Sequence, residues 1–336
     1  MRGFMERTDL EAALEILRSC VKPVDAESVP LDQALGRTLA GDVISTAQVP
    51  AFDKSAMDGY ALRAAETFGA SPTEPALFKV TGEILPGDPG DLEVGPGEAV
   101  RIMTGAAFPT GADAVLMAEQ TTEEGDGMLA HGSVVPGRNV ARAGEDIQKG
   151  DKVLARGRLL RPQDLGVLAS IDMVEVEVRR RPAVGILCTG NELVEPGSNE
   201  AGDRGKVVNS CRPMLEGLVT QTGGLPQALG TLRDDRQALR AAIAAFDGDI
   251  LLTVGATSAG KEDYLPGIVK ELGELPVHGV NIRPASPLAF GRLEKALIVL
   301  LPGNPVAAMV GFDLFVRPAI QIPVSYTHLR AHETRR

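Results

Sequence analysis

Residues 249–266 read DILLTVGATSAGKEDYLP. The run opens with branched apolar residues, Ile250 to Val254, and breaks into a small-residue loop, Gly255-Ala-Thr-Ser-Ala-Gly260. It resumes with a helical spacing through Tyr264, Ile268, Val269 and Leu272. That order predicts strand, tight loop and helix. Such a loop aims backbone N–H groups and a helix N-terminus at one spot, which suits a phosphate or another anion. Asp263 falls one turn inside the expected helix, and a carboxylate beside an anion site calls for a metal ion between them.

The neighbouring sequence repeats the unit. Strands are expected at 183–188, 225–230 and 296–301, and helices at 210–222, 237–246 and from Pro305 through Phe315. Strands alternating with amphipathic helices predict a mostly parallel sheet covered on both faces, over 181–324. Each strand is followed by a polar loop: Thr189-Gly190-Asn191-Glu192, then 230–235, 255–260 and Pro302-Gly303-Asn304-Pro305. In a parallel sheet these loops share the carboxyl edge, where doubly wound folds bind ligands. Glu192, Asp234 and Asp263 are therefore expected to converge as oxygen ligands for magnesium. The rival reading is that each carboxylate caps a helix. The loop at Gly255 has no Gly-Lys-Ser/Thr ending and no GxGxxG, so it is neither a Walker loop nor a dinucleotide fingerprint. Arg283, in Asn281-Ile-Arg-Pro-Ala-Ser286-Pro287, offers a cation able to clamp an oxyanion, or a surface ion pair.

Upstream the texture changes. Short apolar runs separated by Gly and Pro predict a small β-rich domain over 49–146. It contains VPAFDKSAMDGYAL (49–62), where Asp53, Ser55 and Asp58 crowd one loop in the manner of turn chemistry. It also contains RIMTGAAFPTGADAVLMAE (101–119) with a turn at Thr104-Gly105, and ends at Arg142-Ala-Gly-Glu-Asp146. Residues 7–48 and 147–180 read as a scaffold or linker domain of helix and strand. A helix is expected at 8–20 with Thr8 and Glu11 as a capping box, and a second at 31–40. A half-exposed strand is expected at 173–178, with Val174, Val176 and Val178 on one side. Arg179-Arg180-Arg181 reads as a solvated linker. The tail SYTHLRAHETRR, 325–336, shows no apolar periodicity and reads as a non-native end.

Composition narrows the function. The formal net charge is −11, which argues against a nucleic-acid or membrane-surface partner, since phosphate backbones call for a basic face. Three dispersed cysteines predict neither a disulfide framework nor a zinc knuckle and fit a reduced, cytoplasmic setting. No apolar run is long enough to span a bilayer.

SAMDGYA, RIMTGA with GADAVLMAE, GED, TGNEL, GATSAGKEDY and LPGNP, in this order, resemble the molybdopterin molybdenumtransferase family, the MoeA and gephyrin E-domain group. The resemblance runs from about residue 10 to about 324. It implies insertion of molybdate into adenylylated molybdopterin with release of AMP, magnesium as the cofactor, and an elongated homodimer. It implies that Glu192, Asp234 and Asp263 surround the metal and nucleotide. Asp58, Thr104 and Asp146 are implied to face the site from the other subunit. Gly190, Gly255, Ser258, Gly260, Ser286, Pro302, Gly303, Asn304 and Pro305 are implied to cradle the pterin phosphate, with Arg283 acting on the oxyanion. The family's C-terminal β-barrel is expected to be absent from this sequence. Two other readings stand beside it: a catalytically impaired pterin-binding or scaffold protein of the same family, and the related adenylylating molybdopterin-binding enzyme, against which SAMDGYA argues. The family's second loop glycine is Ala256 here, and its two lysines near the oxyanion are Arg283 and Ser286.

Overall fold

In the computed structural model, residues 7–255 and 264–322 are described. The chain divides into two compact units. One comprises Met1–Gly41, Ala155–Leu165 and Glu175–Arg336; the other comprises Asp42–Leu154 and Gly166–Val174.

The first unit is built on a six-stranded sheet. In spatial order its strands are Leu225–Leu232, Ala183–Thr189, Ile250–Val254, Leu297–Leu301, Ala289–Leu293 and Gly273–His278. The first four run parallel, and the last two are antiparallel to their neighbours. The sheet is thus mixed, with the expected parallel strands forming four of its six positions from the Leu225–Leu232 edge inward. The runs ILLTV and LIVLL, apolar except for the buried Thr253, are what a strand covered on both faces requires. Alternate residues divide between two cores, as the two-residue period dictates. Val184, Ile186, Leu252, Val254, Val299 and Leu301 pack with helices Leu10–Cys20 and Cys211–Thr222 and with Phe312 and Phe315. Leu187, Leu251, Ile298 and Leu300 pack with helices Arg236–Ala244 and Leu265–Leu272.

Several local expectations are corrected. The first helix begins at Leu10, with Asp9 at the N-cap and no side-chain cap bond. Thr8 instead bridges to Val280, its N–H donating to the Gly279 carbonyl, so there is no capping box. The helix expected at 31–40 is a single 3-10 turn, Leu31–Gln33, because Thr38 and Leu39 are drawn into bridges with Leu159 and Val178. The strand near 175 is Glu175–Arg179, paired antiparallel with Ala26–Pro30. Val176 and Val178 are buried, but Val174 lies outside the strand and is exposed.

The arginine run is not a solvated linker. Arg179 donates to the Val24 carbonyl. Arg180 grips Asp249 with two parallel bonds of 2.7 Å, and Asp249 also accepts from the Ala183 N–H. The Asp249 N–H donates to the Ala183 carbonyl, and the Asp249 carbonyl accepts from the Leu297 N–H. One aspartate therefore fastens the amino ends of three adjacent strands, and the planar guanidinium matches it bidentately.

The second unit centres on a six-stranded sheet in the order Ala114–Met117, Gly59–Leu62, Glu98–Ile102, Ala76–Ile84, Gly127–Ala130 and Thr121–Glu124. It is buried on both faces, with Tyr60, Leu62, Phe78 and Leu116 in one core and Ala61, Val100, Ile102 and Val115 in the other. Gly59 lies so close to the neighbouring strand that a Cβ would sit 2.0 Å from the Leu116 carbonyl oxygen, which explains the glycine in MDGY. The expected β-rich fold over this region is therefore present.

Candidate functional site

The strand directions decide which loops meet. Thr189, Leu232, Val254 and Leu301 end parallel strands at one edge of the sheet. His278 pairs with Ala289, and Ala289 with Leu300, so the turn from Gly279 to Leu288 lies at the same edge. Five loops thus form one strip. At about 4.8 Å per strand, it runs on the order of 20 Å from Leu232 to Ala289.

Short contacts join neighbouring loops. Thr189 donates through Oγ1 to Asp234 Oδ1 at 2.6 Å, and the Gly190 N–H donates to the Leu232 carbonyl. The Asp234 N–H reaches Asn191 Oδ1 at 3.4 Å, which places Glu192 in the loop beside Asp234. Gly255 has φ +102°, and a Cβ there would lie 2.2 Å from the Thr189 carbonyl oxygen. A Cβ on Gly303 would lie 3.7 Å from Gly255 Cα. Gly190, Glu192, Asp234, Gly255 and Gly303 therefore share the edge. Asp263, Ser258 and Gly260 lie outside the described residues. The helix after the loop is described from Leu265.

The loop Pro302–Pro305 is a thinner cradle than its sequence implies. Pro302 and Pro305 have no N–H to offer. Asn304 accepts from the N–H groups of Val306 and Ala307 with its own side chain, which occupies the start of helix Pro305–Gly311. The N–H groups of Gly303 and Asn304 remain for an anion. Behind them, Cys211 Sγ donates to the Gly303 carbonyl at 3.6 Å.

Arg283 and Ser286 share the turn at the other end of the strip. Val280 N–H donates to the Ser286 carbonyl, closing it. Arg283 is exposed and Ser286 half-buried. Ala285, between them, is buried with φ +84°, a left-handed conformation that costs a residue with a Cβ.

Two family models cover most of the chain. Residues 8–171 match the one described as "MoeA N-terminal region (domain I and II)", and residues 185–322 match "Probable molybdopterin binding domain". Over 96% of its length the chain is 36% identical to "Molybdopterin molybdenumtransferase 2" of Mycobacterium tuberculosis, and it covers 80% of that protein. The chain belongs to the MoeA family of molybdopterin molybdenumtransferases. It is also 38% identical to the "Molybdopterin molybdenumtransferase" of Bacillus subtilis, over 94% of this chain and 75% of that one. The crystal structure of a molybdopterin biosynthesis MoeA protein from Pyrococcus horikoshii matches it with a TM-score of 0.84 at 36% identity, covering 95% of this chain and 80% of that chain.

The MoeA-type motifs of the second unit form their own contacts. Asp58 Oδ1 accepts from Thr104 N–H at 2.7 Å and from Thr104 Oγ1 at 2.6 Å. Thr104 thereby holds the Asp58 carboxyl below the usual carboxylate range. Asp53 accepts from the Ala143 N–H and from Arg142 Nη1, so it ties the residues just before SAMDGYA to those just before GED. Of the three residues read as turn chemistry, only Ser55 bonds locally, to the Met57 carbonyl. Asp58 and Thr104 are thus brought together. Asp146 is exposed in the loop that Asp53 holds, with its N–H donating to the Val49 carbonyl.

Sequence reasoning missed a cleft of about 560 Å³ at the Leu232 end of the strip, lined by Gly190, Asn191, Glu195, Lys206, Arg212, Thr231 and Arg233 among others. Apart from Arg233, its charged residues come from 195–212, where only Arg212 falls in an element the sequence announces, the helix Cys211–Thr222. The signals available were Gly190 and Asn191 in one carboxyl-edge loop and Arg233, next to Asp234, in the other. Among the described residues, no group of three His, Cys, Asp or Glu side chains is gathered for a metal, and no helix is long and apolar enough to cross a membrane.

Proposed function

We propose that the chain takes adenylylated molybdopterin and molybdate, inserts the molybdenum and releases AMP, as a transferase of molybdenum cofactor biosynthesis. The observation that carries this reading is the strip of five loops on one sheet edge, in a chain of the MoeA family. The substrate is long and multiply anionic, and the strip matches it with exposed cations toward both ends, Arg233 and Arg283. The protein's part is to orient and to stabilise charge from groups already in place.

Magnesium is part of the proposal. A hard cation takes oxygen donors and keeps several waters. The exposed Glu192 carboxylate, the Asp234 carboxylate and the Asn191 amide oxygen supply that chemistry, whereas the thiols of Cys188 and Cys211 are buried. When bound, the ion would neutralise charge on the phosphoanhydride. Thr189 acts through Asp234, whose carboxylate it orients by the 2.6 Å bond.

The test follows AMP release from adenylylated molybdopterin with magnesium and molybdate. Release by the parent chain is expected, and Thr189→Val should raise the magnesium needed for half-maximal rate by about 10–100-fold, as loss of a ligand's partner does elsewhere. No release, with pterin binding retained, would leave the scaffold reading standing. An unchanged magnesium dependence in Thr189→Val would remove Asp234 from the metal site. Homodimerisation is proposed on the family's pattern, and a monomeric mass by light scattering at micromolar concentration would count against it.

A further inference from the structure

The cleft beside Gly190 is built around one carboxylate. Glu195 Oε1 accepts from Thr231 Oγ1 at 2.7 Å, and Oε2 accepts from Arg212 Nη2 at 2.7 Å. Asn209 Nδ2 donates to Thr231 Oγ1 at 2.9 Å, which commits the Thr231 hydroxyl proton to Glu195. Thr231, and then Arg212, hold the Glu195 carboxyl below the usual range, so it stays an acceptor. A carboxylate has about four lone-pair sites. Two are used here, and the Glu195 side chain is 46% exposed.

The other charges limit what can enter. Lys206 is paired with Glu200 at 3.1 Å, and Arg212 is shared between Glu195 and Glu216. Arg233, which also lines the cleft, forms no ion pair among the described residues. A phosphate is therefore favoured at the Arg233 end, beside Gly190 and Asp234, and disfavoured against Glu195. A neutral group carrying two adjacent donors suits Glu195. A ribose is such a group, since its vicinal hydroxyls can both donate to one carboxylate, the manner in which doubly wound folds hold a ribose at this edge.

We propose that the cleft binds the ribose of the substrate's nucleotide half, with Glu195 accepting from its 2′- and 3′-hydroxyls and Arg233 meeting the phosphate. This rests on the function proposed above. Glu195 is then a specificity residue, and Thr231 and Asn209 are positioning residues that act through it.

The experiment is calorimetric titration of the chain, with magnesium present, by AMP and by 2′-deoxy-AMP. AMP is expected to bind about 10-fold more tightly than its deoxy analogue, the factor that one charge-assisted bond supplies. Glu195→Gln should bring the two ligands to within about 2-fold of each other, and Thr231→Val should shrink the ratio in the same direction. Equal affinity of the parent for both nucleotides, no binding of AMP, or an unchanged ratio in a folded Glu195→Gln protein would overturn the inference. The two-ligand comparison on the parent needs no variant, so a misfolded Glu195→Gln does not rescue it. AMP release from adenylylated molybdopterin by a parent that ignores the 2′-hydroxyl would refute the cleft assignment alone. Discrimination without AMP release would refute the transferase reading and leave the diol assignment supported.

Discussion

Gly255→Ala is expected to destabilise the sheet-bearing unit by at least about 3 kcal/mol, a large effect for one methyl group. Two costs add. The backbone at Gly255 has φ +102°, where a Cβ is strained by roughly 1–3 kcal/mol. The new atom would also lie 2.2 Å from the Thr189 carbonyl oxygen, and that oxygen belongs to a central strand held on both sides. Neither strand end can yield without breaking ladder bonds or the Thr189–Asp234 contact. At about 2–4 °C per kcal/mol for a unit of this size, the melting temperature should fall on the order of 10 °C. Gly267→Ala is the control, because a Cβ there meets nothing within 4 Å. It lies in helix Leu265–Leu272 and should gain up to about 1 kcal/mol. Equal melting of the two variants would show that the Gly255 loop is not seated against Thr189.

Asp164→Ala should cost roughly 2–3 kcal/mol. Asp164 is buried, and its carboxylate accepts from Arg158 Nη2 at 2.7 Å and from the N–H and Nε of Arg161 at 3.0 and 3.3 Å. Breaking a fully buried pair costs about 3–5 kcal/mol. Here the arginines are 37% and 54% exposed, so each recovers water and the cost falls to the bottom of that range or below it. The Arg158 bond first, with the Arg161 contacts, pulls the Asp164 carboxyl far below the usual carboxylate range. A carboxyl depressed in the folded state stabilises the fold above its unfolded pKa of about 3.9 and loses that contribution as pH falls further. Urea unfolding of parent and variant should therefore differ fully at pH 7, and the gap should narrow steadily below about pH 4. A gap that is constant down to pH 2 would mean that charge at Asp164 contributes nothing.

Much of the sheet was legible because its code is local. ILLTV and LIVLL are short, contain β-branched residues and are bounded by polar loops, which favours buried strands, and the alternation of strand and helix orders them along one edge. The shared edge of Glu192, Asp234 and Gly303 follows from that order alone. The two antiparallel strands were not legible. GELPVH and AFGRL carry Pro, Gly and charge, and their pairing is set by the hairpin geometry around Val280 and Leu288 rather than by periodicity. The Arg180–Asp249 fork was misread because a run of like charges is usually solvated, and its partner lies 69 residues away. The Glu195 cleft was invisible for the same reason: its contacts join residues 195, 209, 212 and 231, each ordinary in its own window. Asp58 and Thr104 were singled out by family resemblance, and the bond between them, across 46 residues, is a contact that no local rule supplies.

The crossing of the chain between its two units sets an order of assembly. Helix Leu10–Cys20 packs on the core lined by strands Gly273–His278 and Ala289–Leu293, and Thr8 is seated on Val280. That helix is made before the strands it packs on and has no such face to bury until more than two hundred further residues have followed. Nearly all of the β-rich unit, by contrast, lies within Asp42–Leu154, so its contacts close while the later sheet is still unmade. Long-range closure is the slow, exposed part of folding. The amphipathic first helix is accordingly the segment whose apolar face waits longest in solvent, and the carboxyl-edge strip is complete only after the Leu297–Leu301 strand has taken its place.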